Sequence, residues 1–150
     1  MISLEMYTLE KCHEFWKEYI SDYDMWKEDY IYDKEKVDKY YNTKVTDKSR
    51  KFFAICYEGK IVGEVQLKYI DLKHKHGTMS IHFSKNSYKN RGWGTEAEQL
   101  IIKYAFEKLR LNTIYADTVI RNTRSQHVLK KNGFIYIHDD EILRYYKLER

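Results

Sequence analysis

The chain has 150 residues, with 27 basic against 23 acidic side chains for a formal net charge of +4, 43% hydrophobic residues and no proline. That length suits a single domain over 1–150 with a full core and leaves no room for a second. The apolar residues fall in short runs, none near the ~20 that a membrane helix needs, and no basic run marks a nucleic-acid-binding tail. The N-terminal stretch MISLEMYTLEKCHEF has no basic region followed by an apolar run and a small-residue cleavage site, so a cytoplasmic protein is expected. Cys12 and Cys56 lack Cys-x-x-Cys spacing and are read as two buried free thiols.

In chain order, ISLEM reads as a first strand, and LEKCHEFWKEYI places Leu9, Cys12, Phe15, Trp16 and Tyr19 at helical spacing. A second helix is expected over residues 34–46. Many of the 15 tyrosines fall within residues 19–41, where they are read as lining a pocket or closing a core rather than as base-stacking platforms. The strands KFFAICYE and KIVGEVQLKYIDL are divided at Glu58 and Gly59, a hairpin signal, and TMSIHF after KHKHG completes a meander.

The period then changes. Residues 95–110 place Ala97, Leu100, Ile101, Tyr104, Ala105 and Leu109 on one helical face, widened by Ile102 and Phe106. NTIYADTVI follows as a strand rich in branched and aromatic residues. Asn122 is an expected N-cap for the helix TRSQHVLKK, which should stop at Gly133 with Phe134 folding back on Leu129. FIYIHD and ILRYYKL close the chain as a hairpin. Strands and helices in this succession form a mixed α/β plan.

Gly92 and Gly94 sit just where the long helix begins. Backbone N–H groups at a helix N-terminus, unobstructed by a Cβ at these two positions, form an anion cradle suited to phosphate. The spacing Gly92-x-Gly94-x-x-Ala97 formally fits the dinucleotide fingerprint. That fingerprint needs a hydrophobic strand running directly into the first glycine, whereas the polar SKNSYKNR separates Phe83 from Gly92 here.

KNRGWG, residues 89–94, resembles the pyrophosphate motif Gln/Arg-x-x-Gly-x-Gly/Ala of the GCN5-related N-acetyltransferases, the GNAT family, with Lys89 replacing Gln/Arg. SIHF before it resembles the family's bulged fourth strand, and NTRSQHVLKKNGF resembles its later segment Asn-x-x-Ser/Ala…Leu-x-Lys-x-Gly-Phe. The branch it resembles holds the ribosomal-protein alanine and spermidine acetyltransferases. The likeness covers roughly residues 51–135, and the first fifty match in outline only.

The resemblance implies the GNAT fold: a mixed, mostly antiparallel sheet of six to seven strands flanked by about four helices, with a splayed, bulged fourth strand. It implies acetyl-CoA as co-substrate and no metal. Its pyrophosphate would meet Lys89, Asn90, Arg91, Gly92, Trp93, Gly94 and Thr95. Its pantetheine arm would pair like an extra strand near a bulge at Ile81, His82 and Phe83, within reach of Asn122, Ser125 and Lys131. Plain capping is the other reading of Asn122, and a solvated helix face that of Ser125 and Lys131.

Acetyl transfer to an amine requires a neutral nucleophile, an oxyanion donor and a proton for the departing thiolate. Glu64 and His82 are the candidate bases, the histidine having a reference pKa suited to proton removal near neutrality. In many family members a tyrosine in the later helix protonates the thiolate. The matching position here is Leu129, which leaves solvent, Ser125, Tyr145 or Tyr146. His74 and His76, without a third ligand, are read as a solvated turn and not as a metal site.

The expected function is acetyl-CoA-dependent N-acetylation of a primary amine on a small molecule or a protein N-terminus. Asp22, Asp24, Trp26, Glu28 and Asp29 would suit a cationic acceptor, their other reading being a solvated loop. The competing class is a non-catalytic acyl-CoA-binding or sensing module, suggested by the missing tyrosine. Neither nucleic acid nor membrane is an expected partner. A homodimer is compatible with the sequence, in which nothing marks a subunit interface.

Overall fold

The structure, a computed structural model, describes residues 1–22, 28–88 and 90–150. The chain opens with strand β1 (Ile2–Met6), helix α1 (Leu9–Glu18) and helix α2 (Lys34–Tyr40), which a π-type turn extends over Tyr41–Val45. Thr8 caps α1 by accepting from the Lys11 amide, and Asp33 caps α2 by accepting from those of Glu35 and Lys36. In each case a short polar side chain satisfies first-turn donors that have no intrahelical partner.

Strands β2 (Lys51–Tyr57), β3 (Lys60–Asp71) and β4 (His76–Phe83) form the meander. Glu58 and Gly59 join the first two with φ of 49° and 79°, the left-handed pair that suits a two-residue hairpin. Helix α3 (Trp93–Glu107), strand β5 (Thr113–Val119) and helix α4 (Thr123–Lys131) follow, and the hairpin β6 (Ile135–Asp139) and β7 (Leu143–Glu149) ends the chain. At the end of α4, Gly133 takes φ 93° and the Phe134 amide donates to the Leu129 carbonyl.

The strands make one seven-stranded sheet in the order β1-β2-β3-β4-β5-β7-β6, antiparallel except between β4 and β5. Alternate residues of β2 serve two apolar clusters. Phe52, Ala54 and Cys56 pack with Cys12, Phe15 and Val37 of α1 and α2, while Ile55 joins Val65, Leu67, Met79 and the α3 and α4 residues Ala97, Ile101, Ala105 and Leu129. Period-two alternation thus lets one sheet carry helices on both faces.

Two expectations need correction. The splay of the fourth strand is present, but the bulge expected at Ile81, His82 and Phe83 is not, since these residues pair in regular register with Val65, Glu64 and Gly63. The β3–β4 irregularity falls between Lys68 and Asp71 instead, where Tyr69 has φ 52°. The long helix begins and ends earlier than residues 95–110, and Leu100, expected on its buried face, is 36% exposed. Glu98 takes the core position, at 2% exposed.

Candidate active site

Strand β4 pairs with β5 only from His76 opposite Thr113 to Met79 opposite Ala116. Beyond that point β4 stays with β3 as far as Phe83, while β5 follows β7 as far as Val119 opposite Leu143. The parting opens a cleft of about 560 Å³. The Ile20 amide donates to the Ser84 carbonyl at 2.8 Å. This ties the end of α1 to the end of β4, and Tyr19, Ile20 and Asp22 line the cleft as well.

Of the residues expected around a cofactor, Ile81, His82, Phe83, Asn90, Gly92, Gly94, Thr95, Asn122, Ser125 and Lys131 all line this cleft. Arg91 and Trp93 are not among the lining residues. Trp93 is buried against Tyr57 and Tyr88, with ring centroids at 4.7 and 5.4 Å. The Arg91 guanidinium lies over the Trp93 ring at 5.1 Å and its Nε donates to the Ser87 carbonyl. Lys89 lies outside the described residues, as do Asp24 and Trp26 of the expected acceptor region. Glu28 and Asp29 are exposed and do not line the cleft.

Gly92 is the N-cap of α3 at φ 79°, a conformation that side-chain-bearing residues rarely adopt, and it brings no side chain to cap the helix. Among the described residues, the amides of the first turn are therefore left without an intrahelical or capping partner at the rim of the cleft. A Cβ at Gly94 would meet Phe83 Cε2 at 3.7 Å, ordinary contact, so this rim is open. Asn122 caps α4 by accepting from the Ser125 amide at 3.2 Å while also lining the cleft, so capping and ligand contact are compatible.

Glu64 and His82 are cross-strand partners on the face covered by α1 and α2. Cross-strand partners point to the same side of a sheet. Glu64 is 1% exposed and lies behind the cleft wall, whereas His82 lines the cleft with its side chain 51% exposed. Tyr7 Oη donates to Glu64 Oε2 at 2.6 Å, Tyr40 Oη donates to Oε1 at 2.8 Å, and His82 Nδ1 stands 3.4 Å from Oε1. Burial first, and then the Glu64 charge, push both tyrosines far above the ordinary phenol range. Both therefore remain donors and Glu64 the acceptor. At Gly63, next to Glu64, a Cβ would come within 2.7 Å of the His82 carbonyl, so glycine permits this close strand approach.

Other expectations resolve locally. Leu129, where the tyrosine was sought, is a buried part of the cleft wall. Tyr145 donates to Asp140 Oδ2 at 2.6 Å and Tyr146 is buried in the core; neither lines the cleft. His74 pairs with Asp71 at 2.8 Å in an exposed turn, and among the described residues no group of three His, Cys, Asp or Glu could hold a metal ion. Cys12 and Cys56 are free and buried, and burial pushes each thiol up to about 12, which leaves them unreactive. No helix among the described residues is long and apolar enough to cross a membrane.

The family model described as "Acetyltransferase (GNAT) domain" matches residues 2–135. The chain belongs to the GNAT acetyltransferase family. It is 29% identical over 94 residues to spermidine N(1)-acetyltransferase of Escherichia coli (strain K12), 63% of this chain and 50% of that one. The match thus spans about half the length of that relative. Among solved GNAT structures, the Campylobacter jejuni N-acetyltransferase PseH in complex with acetyl coenzyme A superposes with a TM-score of 0.74 at 24% identity, covering 100% of this chain and 99% of PseH. A dodecameric spermidine N-acetyltransferase from Vibrio cholerae gives 0.77 at 17% identity, covering 99% and 93%. At these identities the likeness establishes the shared GNAT fold.

The cleft of this GNAT chain fits an acyl-CoA. The uncapped α3 amides offer donors for a pyrophosphate, and the edge of β4 beyond Met79, which β5 leaves unpaired, offers backbone groups for an extended arm. Sequence reasoning missed Tyr7, Tyr40 and Glu98. Tyr40 lies in the noted tyrosine-rich stretch, and Glu98 sits at i+4 from Gly94 and i−3 from Ile101, a spacing that marks the core face of α3.

Proposed function

We propose that this chain, as one domain over 1–150, is an acetyl-CoA-dependent N-acetyltransferase acting on a primary amine of a small molecule or a protein N-terminus. The observation that carries the reading is that one cleft joins the uncapped amides of α3 to the His82–Glu64 pair across the β4–β5 splay. Bound acetyl-CoA would supply a thioester as the acyl donor.

The amides of residues 93–95 hold the pyrophosphate, and the free edge of β4 orients the arm and offers backbone N–H groups to the developing oxyanion. His82, which lines the cleft, takes the proton that the acceptor ammonium must lose before attack. Glu64, fixed by Tyr7 and Tyr40, orients the imidazole from 3.4 Å, which makes it a positioning residue. The attacking nitrogen sheds its second proton as the amide forms, and water relays a proton to the departing thiolate, since Leu129 has none to give; a thiolate is a good enough leaving group near neutrality to need no dedicated acid.

Asp22 and Tyr19 on the same cleft favour a cationic acceptor. The E. coli relative is named for spermidine, which puts polyamines first among candidates. The two free thiols suit the reducing conditions of a cytoplasmic setting. Self-association, a homodimer at the least, is expected by analogy with the dodecameric V. cholerae neighbour and is read by light scattering. Leu129 at the acid's position supports one other reading, a sensing module that binds acyl-CoA without turnover.

The test is release of CoA thiol from acetyl-CoA in the presence of a polyamine, an aminoglycoside and peptides with free N-termini. Amine-dependent release is expected. Saturable acetyl-CoA binding without release for any amine would overturn the enzyme in favour of the sensing module.

A further inference from the structure

Glu98 is a buried carboxyl with no part in the chemistry above. It sits on α3 one turn beyond Gly94, is 2% exposed and belongs to the lining of the cleft. Asn132 Nδ2 donates to its Oε1 at 3.1 Å and approaches the Thr95 carbonyl at 3.3 Å, while Asn132 Oδ1 accepts from Gln99 Nε2 at 3.2 Å. The amide thus clamps the end of α4 to the start of α3 and brings no positive charge.

Among the described residues, the charged and titratable groups around the cleft are Lys131, Arg124 and His127 of α4, His82 of β4, Asp117 of β5, and Tyr19 and Asp22 after α1. Glu96, on the same helix, instead accepts from the Ile2 amide at 3.2 Å. None of these charges perturbs Glu98. Burial alone pushes its carboxyl up to about 7, against the opposing pull of the Asn132 N–H. The helix dipole, which favours carboxylates in the first turn, has faded at the sixth residue of α3.

We propose that Glu98 is a proton-uptake site coupled to the cofactor: acetyl-CoA binds the form in which this carboxyl is neutral, and its affinity weakens as pH rises above neutrality. The inference rests on the acetyl-CoA reading given above. Phosphates seated on the α3 amides stand about one turn from Glu98, and the ligand displaces water from the cleft. A carboxylate there would face like charges with less solvent to screen them, so the bound complex holds the proton more tightly than the free protein. Linkage then requires proton uptake on binding wherever the free carboxyl is ionised. One background ionisation acts alongside it: the CoA phosphate gains its second charge near pH 6, which strengthens binding as pH rises.

The experiment is isothermal titration of acetyl-CoA into the wild type, Glu98→Gln and His127→Gln, at pH 6.5 and 8.5, with proton uptake measured at pH 8 in HEPES and Tris buffers. Glutamine keeps the oxygen that accepts from Asn132 and cannot ionise. The wild type should take up close to one proton at pH 8 and bind about tenfold more weakly at pH 8.5 than at pH 6.5. Glu98→Gln should take up none, hold its affinity within about twofold across the range, and match at pH 8.5 the wild type at pH 6.5. His127→Gln should behave as the wild type. No uptake by the wild type, uptake that survives in Glu98→Gln, or a slope lost only in His127→Gln would overturn the inference while leaving the cofactor reading in place. Failure of acetyl-CoA to bind the wild type at either pH would overturn both.

Discussion

Glu64 Oε1 and His82 Nδ1 stand 3.4 Å apart across the β3–β4 pairing, one residue 1% exposed and the other half open to the cleft. Tyr7 and Tyr40 hold Glu64 from its buried side, and the carboxylate in turn fixes where the imidazole sits at the cleft. His82→Gln should lower turnover about 10²- to 10⁴-fold and leave acetyl-CoA affinity unchanged. Raising the pH should partly rescue it, because solvent then supplies free amine. Glu64→Gln should shift the pH–rate profile as well as its height. Both variants with wild-type rates and profiles would mean that the site binds an already neutral amine by positioning alone.

Tyr7 and Tyr40 hold Glu64 in place. Replacing either by phenylalanine removes a donor from a buried carboxylate, and each variant should lose about 1 to 3 kcal/mol of stability. Urea titration checks this. A loss under 0.5 kcal/mol in both would mean that Glu64 finds other partners.

Gly94→Glu would put a side chain and a negative charge at the open rim of the α3 amides. Acetyl-CoA affinity should collapse while the fold survives. Asn122→Ala should cost about 1 kcal/mol through its lost cap, and a further loss of affinity would assign it a cofactor contact too. Titration of acetyl-CoA into each variant, alongside its melting curve, separates these outcomes.

Glu98 also makes stability depend on pH. Its folded carboxyl, pushed up from the ordinary 4.5 to about 7, holds its proton more tightly than the unfolded chain does. The stabilisation is therefore fully present below pH 4.5 and is lost as pH rises through about 7, a difference of roughly 3 kcal/mol. Glu98→Gln should remove this dependence and be the more stable protein at pH 8. Parallel urea curves at pH 5 and 8 for both proteins test it, and identical pH dependence would contradict the assignment.

The sequence made much of this legible, for physical reasons that differ between elements. Helix α4 was readable to its ends because Asn122 and Gly133 punctuate it, and the Gly92 and Gly94 turn stood out in a chain with few glycines. Glu64 was visible as a candidate base, but nothing in the strand pattern told what would surround it. Helices α1 and α2 cover its side of the sheet, and only tertiary packing reveals the two tyrosines brought to the carboxylate from 57 and 24 residues away. Glu98 was obscured in the same way, because a polar residue on a helix is read as solvated until its neighbours are known. The bulge expected in β4 was inferred from resemblance, whereas the strand parts from β5 without losing register with β3.

The most direct test of the account is the melting temperature with and without acetyl-CoA. At ~100 times the dissociation constant the ligand should stabilise the fold by about 2.7 kcal/mol, which for a domain of this size means a rise of roughly 5 to 11 °C. Gly94→Glu should show no such rise. An unchanged melting temperature with acetyl-CoA, or a comparable rise with NAD in its place, would contradict the cofactor assignment on which the proposed transfer depends.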